Sequence, residues 1–295
     1  QYKKDWKVKT MKEKYILLKN NMKIPRLGQG TWFIGDNKAE EKDEIESIRL
    51  GIELGMTLID TAEMYCSGAA ERLIGKAIKG YDRSKLFIVS KVYPHNAGRR
   101  NIFNACENSL KRLDVDYLDL YLLHWRGSIP LRETVECMEE LVAQGKIRSW
   151  GVSNFDSSDM KELWSVPNGS NCVINQVLYH LGSRGIEYDL VPWMKEHNVP
   201  VMAYSPLAQA GSLRRGLLEN KVVREIAQNR GISPVQVLLA FVLSHDNMIA
   251  IPKSGNPKHT RENAEVMNII LTEEELKMLD KAFPAPNYKT PLDII

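Results

Sequence analysis

The chain has almost no surplus charge of either sign: 40 Lys and Arg face 37 Asp and Glu, a net of +3 with His neutral. So small an imbalance gives no long-range pull towards nucleic acid or an anionic membrane. Cysteine is scarce, with four in 295 residues. Cys66, Cys106, Cys137 and Cys172 stand too far apart to form a C-x-x-C pair, which excludes a zinc ribbon and a thioredoxin-type redox motif. That usage fits a reduced cytoplasmic compartment. Long hydrophobic runs are missing as well. The most apolar stretch, residues 235–243, is interrupted by Gln236 and stops at Ser244-His245-Asp246, short of the roughly 18 apolar residues of a membrane span. No apolar block follows the lysine-rich start, so it does not read as a signal peptide. Residues 1–14 read instead as a basic tail, flexible or partly non-native, with Met11 as a candidate natural start.

What is present is the composition of an ordinary folded protein, 43% hydrophobic and 26% charged, with no low-complexity stretch, internal repeat or linker to mark a second domain. Residues 15–295 are therefore expected to form one domain. From Leu27 onward eight β-rich runs alternate with helix-length amphipathic segments: 28–32, 58–62, 86–92, 118–125, 147–153, 173–179, 201–207 and 248–254. Between them apolar residues recur at helical spacing, as in Ile45, Ile48 and Ile52, or Leu131, Val135, Met138 and Leu141. Near-continuous apolar strands such as residues 118–123 fit a parallel sheet covered on both faces. Eight βα units in about 250 residues predict an α/β protein, a (β/α)8 TIM barrel. The competing open doubly wound sheet normally carries G-x-G-x-x-G after its first strand. Here Gly28-Gln29-Gly30-Thr31-Trp32-Phe33 lacks the third glycine. An N-terminal β-hairpin around Asn20-Asn21 is expected to cap the barrel's bottom, and a C-terminal extra helix to open at Thr272 with Glu275 completing its cap.

In a barrel the chemistry lies at the C-terminal ends of the strands. Strand two ends in Asp60, with Tyr65 in the next loop; strand three ends in Ser90-Lys91-Val92, and strand four in Leu123-His124-Trp125. Each residue alone has a bland explanation, a helix cap, a local ion pair or a core histidine. Together they make a site for proton transfer. A tyrosine hydroxyl is a poor acid at neutral pH, and an adjacent ammonium would lower its pKa. Lys91 would supply that charge, Asp60 would hold Lys91, and His124 would orient a carbonyl.

Asp60-Thr61-Ala62-Glu63-Met64-Tyr65, Leu122-Leu123-His124-Trp125, Gly151-Val152-Ser153-Asn154-Phe155 and Ile251-Pro252-Lys253-Ser254 occur in the order found in aldo-keto reductases, and the chain resembles that family from about residue 15 onward. The likeness is to bacterial members assigned to methylglyoxal and small-aldehyde reduction. The resemblance implies Asp60, Tyr65, Lys91 and His124 as catalytic residues and NADPH/NADP+ as cofactor. It places Gly30, Thr31 and Trp32 beside the cofactor, Ser153, Asn154 and Gln176 on the nicotinamide carboxamide, and Tyr204 under the ring. Ser205, Pro206, Leu207 and Gly211 would follow the pyrophosphate, with Arg214 and Arg215 adding charge. Ile251 would also bind the cofactor, Lys253, Ser254, Asn256 and position 259 would take the 2′-phosphate end, and Glu262 and Asn263 the adenine. Position 259 is His259 where relatives usually carry arginine, so NADH is expected to bind too, more weakly.

Trp32, Phe33, Tyr93 and Trp125, with Phe155, are expected to line an aromatic substrate pocket for a small-molecule aldehyde or ketone. Only twelve residues follow Phe283 and the stretch 208–216 carries few bulky side chains, so the mouth is expected to be open. No nucleic-acid or membrane partner is implied, and a monomer is the expectation. Two other classes compete. A cofactor-binding regulatory subunit would keep the same four residues and differ in turnover. A metal-dependent hydrolase would need clustered ligands, and of six histidines only His124 and His180 fall at strand ends.

Overall fold

A computed structural model describes residues 13–209 and 211–295; most of the basic tail and Ala210, inside the expected pyrophosphate segment, lie outside the described residues. The hairpin forms from β1 (Tyr15–Leu17) and β2 (Lys23–Pro25). Eight parallel strands follow: β3 (Gly28–Gly30), β4 (Leu58–Asp60), β5 (Phe87–Val92), β6 (Leu120–Leu123), β7 (Trp150–Ser153), β8 (Asn175–Leu178), β9 (Val201–Tyr204) and β10 (Met248–Ala250). Each pairs with the next in chain order. Parallel bridges from Leu27 to Ala250 and from Gly30 to Lys253 join the last strand to the first. That closure needs Gly30 to be glycine, because a Cβ there would stand 2.7 Å from the Ile251 carbonyl oxygen.

All eight expected strands are present, each shorter than its apolar run at one end or both. The outer layer is α1 (Glu41–Glu53), α2 (Ala69–Ile78), α3 (Ile102–Leu113), α4 (Leu131–Ala143), α5 (Ser157–Ser165), α6 (Leu190–Glu196), α7 (Ser212–Glu219), α8 (Lys221–Arg230), α9 (Pro234–Val242), α10 (Pro257–Glu265) and α11 (Glu273–Ala282). The extra helix starts where expected, with Thr272 and Glu275 in a reciprocal cap. Within the stretch 208–216, α7 begins at Ser212.

Because side chains alternate along a strand, every second residue points into the barrel. Those inward positions begin apolar: Leu58, Phe87, Val89, Leu120, Leu122, Ile174, Met202 and Ile249 form one buried cluster with Leu18 and Ile24 of the hairpin. The hairpin therefore plugs the bottom. Arg26, 3% exposed, donates to the carbonyls of Met248, Leu243 and His245 and so satisfies strand and helix ends that the plug buries. A second, larger apolar layer lies between sheet and helices. No helix among the described residues is long and apolar enough to cross a membrane.

Candidate active site

Two residues further along the same inward rows, the chemistry changes. Leu58 gives way to Asp60, Val89 to Lys91, Leu122 to His124, Ile174 to Gln176 and Met202 to Tyr204. The parallel register brings these side chains to one end. Lys91 Nζ donates to Asp60 Oδ2 at 2.8 Å, to the Thr61 carbonyl at 2.8 Å and to Tyr65 Oη at 3.0 Å. All three of the ammonium's donors are thus used, and Lys91 is fully buried. Gln176 Nε2 donates to the other Asp60 oxygen at 2.8 Å.

Burial pushes Asp60 up and Lys91 down, and their mutual pairing opposes both shifts. Glu71 on α2, also fully buried, favours the Lys91 ammonium. It accepts from Ser90 Oγ at 2.6 Å and pairs with Arg112 at 2.5 Å. Tyr65 departs from the sequence reading. Burial raises its pKa well above the usual tyrosine value and the Asp60 charge adds to the rise. The expected lowering by Lys91 is offset because Asp60, 2.8 Å from the ammonium, makes the pair nearly neutral in sum. At neutral pH Tyr65 therefore holds its proton. Burial, then the Lys91 charge, lowers His124 to about 2, so its ring is neutral. Its Nδ1 is buried without a hydrogen-bond partner among the described residues.

A cavity of about 990 Å³ stands over these groups, reached by Asp60, Tyr65 and His124 but not by Lys91. Trp32 and Phe33, stacked at 4.6 Å, and Trp125 are in its wall. Ser153, Asn154, Gln176 and Tyr204 also line it, as do Ser205, Pro206 and Leu207. Gly30, Thr31, Ile251 and Lys253 complete it. These polar groups also hold one another: Ser153 Oγ donates to the Gln176 carbonyl, Tyr204 Oη to Asn154 Oδ1, and Asn154 Nδ2 to the His124 carbonyl.

Other expected site residues fall outside the wall. Tyr93 packs at a tilt against His95 and meets Trp125 edge-on at 5.7 Å. Phe155 is in the core, 0% exposed. Ser254, Asn256, His259, Glu262 and Asn263 make a shelf running from Lys253 onto α10, where His259 is exposed and Asn263 buried. Gly211 caps α7 with φ 125° and open space where a Cβ would stand.

Several wall residues escaped sequence reasoning. Arg126, next to Trp125 in the loop after β6, and Asp159, in the first turn of α5, reach the cavity. Ile294 and Ile295 arrive from the segment after α11 and line part of a mouth that the sequence reading left bare of any tail contribution. Lys289 ties that segment down through Asp156 at 2.5 Å and Asp189 at 2.9 Å, Asp293 accepts from Ser183 Oγ, and the Ile295 amide bonds to the Tyr204 hydroxyl. Adjacency to Trp125 could have pointed to Arg126; nothing in the linear pattern points to the tail.

A family model for the aldo/keto reductase family matches residues 26–283. The chain is 58% identical over 285 residues to methylglyoxal reductase YeaE of Escherichia coli (strain K12), covering 97% of this chain and all of that one. It is 36% identical to a glyoxal reductase of Bacillus subtilis (strain 168) across 89% of this chain and 92% of the relative. A crystal structure of a Klebsiella pneumoniae aldo/keto reductase in complex with NADP and acetate superposes with a TM-score of 0.93 at 52% identity, over 96% of this chain and all of that one. A buried Asp-Tyr-Lys-His group at the mouth of an eight-stranded barrel and a family match across most of its length lead to one conclusion: the chain belongs to the aldo/keto reductase family.

Proposed function

We propose that the chain reduces small aldehydes and ketones to alcohols with NADPH. The observation that carries this reading is the contact set of Lys91, within 3.0 Å of Tyr65 Oη and 2.8 Å of Asp60 on the floor of an aromatic-walled cavity. The residues present suit a nicotinamide dinucleotide. Asn154 and Gln176 present amide groups to the cavity, Tyr204 a flat ring, and Lys253 and Arg214 positive charge at its other end. When bound, the cofactor supplies the hydride. Ser153, Asn154 and Gln176 would hold the carboxamide, Tyr204 the ring face, residues 205–207 with Gly211 the pyrophosphate, and Lys253, Ser254, Asn256 and His259 the 2′-phosphate. Asn263 is buried, so Glu262 carries most of the adenine edge.

Tyr65 is the proton donor. A substrate carbonyl oxygen placed between Tyr65 Oη and His124 Nε2 accepts hydrogen bonds from both, which polarises its carbon for hydride attack. As charge builds on that oxygen, the Tyr65 proton crosses to it and Lys91 stabilises the phenolate left behind. Asp60 keeps Lys91 charged and pointed at Tyr65. His124 stays neutral, so it orients the carbonyl without releasing its own proton.

Small α-oxoaldehydes such as methylglyoxal are the proposed substrate class, on the strength of the relatives that carry such names. Trp32, Phe33 and Trp125 extend the same pocket to aromatic aldehydes. The test follows NADPH, and separately NADH, by absorbance with methylglyoxal, aromatic aldehydes and sugars. Turnover with methylglyoxal and NADPH is expected. Tight NADPH binding with no turnover on any of these carbonyls would overturn the reading and favour a cofactor-binding regulatory subunit.

A further inference from the structure

The shelf that would take the 2′-phosphate has a buried carboxylate beneath it. Glu44, on α1, is only 1% exposed. Its Oε2 accepts from the Gly35 amide at 2.9 Å. A Cβ built on Gly255 would stand 3.2 Å from Glu44 Cγ and 3.6 Å from its Oε1, so the side chain lies directly under the 253–256 turn. One turn along the same helix face, Ser47 Oγ donates to the Ser254 carbonyl at 3.0 Å and shares a 2.5 Å hydrogen bond with Thr260. Helix α1 is thus the floor of the turn, with a negative charge built into it.

That charge is felt locally. Burial pushes the Glu44 carboxyl up and the Gly35 amide and Lys253 pull it down, while Glu40 and Asp36 push it up again. Exposed Asp36 and Glu40 extend the acidic edge on the same side. A ribose 2′-hydroxyl is indifferent to such a field, whereas a phosphate dianion at the same position is repelled by it. Lys253 attracts the phosphate from the cavity side; Glu44 opposes it from below, inside the protein where solvent screens poorly.

We infer that Glu44 is a specificity-determining residue that holds down the preference for a 2′-phosphorylated dinucleotide over its unphosphorylated counterpart. The inference rests on the proposed placement of the 2′-phosphate at Lys253, Ser254 and Asn256. It adds a second cause to the softened preference expected from His259, and one that acts at a distance rather than by contact.

Titration calorimetry on the intact protein with NADP+, NAD+, 2′,5′-ADP and 5′-AMP tests it without reference to turnover. Glu44→Gln keeps the size and the acceptor for the Gly35 amide while removing the charge. It should tighten NADP+ and 2′,5′-ADP by about fivefold and leave NAD+ and 5′-AMP within about twofold. Glu44→Asp, which keeps the charge, should bind all four as the parent does. A purely structural role would shift phosphorylated and unphosphorylated ligands together. Should Glu44→Gln fail to fold, Asp36→Asn on the exposed edge carries the test, with a smaller change of the same sign. Unchanged or weakened NADP+ binding in Glu44→Gln, or equal tightening of NAD+, overturns the inference. Lys253→Met separates the two levels: it should weaken NADP+ about tenfold and spare NAD+. If it spares both, the placement of the phosphate is wrong; if it weakens NADP+ and Glu44→Gln changes nothing, only the role of Glu44 is.

Discussion

At the hairpin end of the barrel the inward rows are Leu58, Phe87, Leu120, Met202 and Ile249, closed over by Leu18 and Ile24. At the opposite end the same rows finish in Asp60, Lys91, His124, Gln176 and Tyr204. The backbones differ in the same sense. Away from the mouth, the non-glycine residues with left-handed φ are Asn21, Asp114, Asn168 and Asn198, types that tolerate it. Around the mouth they are Phe33, Cys66, Ser67, Asn154, Ser205 and Ala208, mostly types that do not. The bottom is assembled for stability. The mouth carries buried charge and backbone strain that the rest of the barrel must hold in place.

Changes at the two ends should therefore separate stability from turnover. The largest effect is expected from Tyr65→Phe, which keeps the ring and removes the proton. Turnover should fall at least about 1000-fold while the NADP+ dissociation constant and the melting temperature stay close to those of the parent; turnover within tenfold of the parent would break the assignment. At the bottom, Leu58→Ala should cost about 2–5 kcal/mol in urea unfolding. At a temperature where it remains folded, its kcat should match the parent's, and a matching drop in kcat would show that the two ends are coupled.

His124 sharpens the contrast through pH. Its folded-state pKa is depressed to about 2 against an ordinary 6.5. Below 6.5 the unfolded chain therefore takes up a proton that the folded protein refuses. The stability of the parent should be complete above pH 6.5 and decline as pH falls towards 2, and His124→Gln should show a shallower decline in urea midpoints. Over pH 5–8 kcat/KM should show no inflection belonging to His124. The smallest effect is expected from Lys289→Met, because the ion pairs it removes are partly exposed. It should raise KM by about two- to threefold through loosening of the Ile294–Ile295 wall and leave kcat unchanged; a tenfold loss of kcat would place the tail in the chemistry itself.

Much of this molecule was legible before any coordinates. Near-continuous apolar runs mark the strands, because the sheet is covered on both faces, and period-3.6 patterns mark most helices, because each buries one face. Asp60, Lys91 and His124 were readable as strand-end polar residues because a barrel delivers all strand ends to one rim. Tyr93 and Phe155 stand outside the cavity lining because an aromatic beside a strand end can face the pocket or the helical layer, and a short stretch of sequence does not set that direction. The Tyr65 shift was misread for a related reason: Lys91 is close in space, and so is Asp60.

By itself the sequence determined what repeats locally: the strand and helix succession, the cap at Thr272, the apolar lower rows and the identities of the residues at their ends. Tertiary structure alone decided what depends on distance between remote segments. It carried Ile294 and Ile295 to the cavity more than 90 residues from β9 and set Gln176 against Asp60 across 116 residues of chain. It slid Glu44 beneath a turn about 210 positions away. Local pattern is written by the alternation of burial along an element, whereas electrostatic neighbours are chosen by barrel closure and helix packing, which no short window of sequence contains.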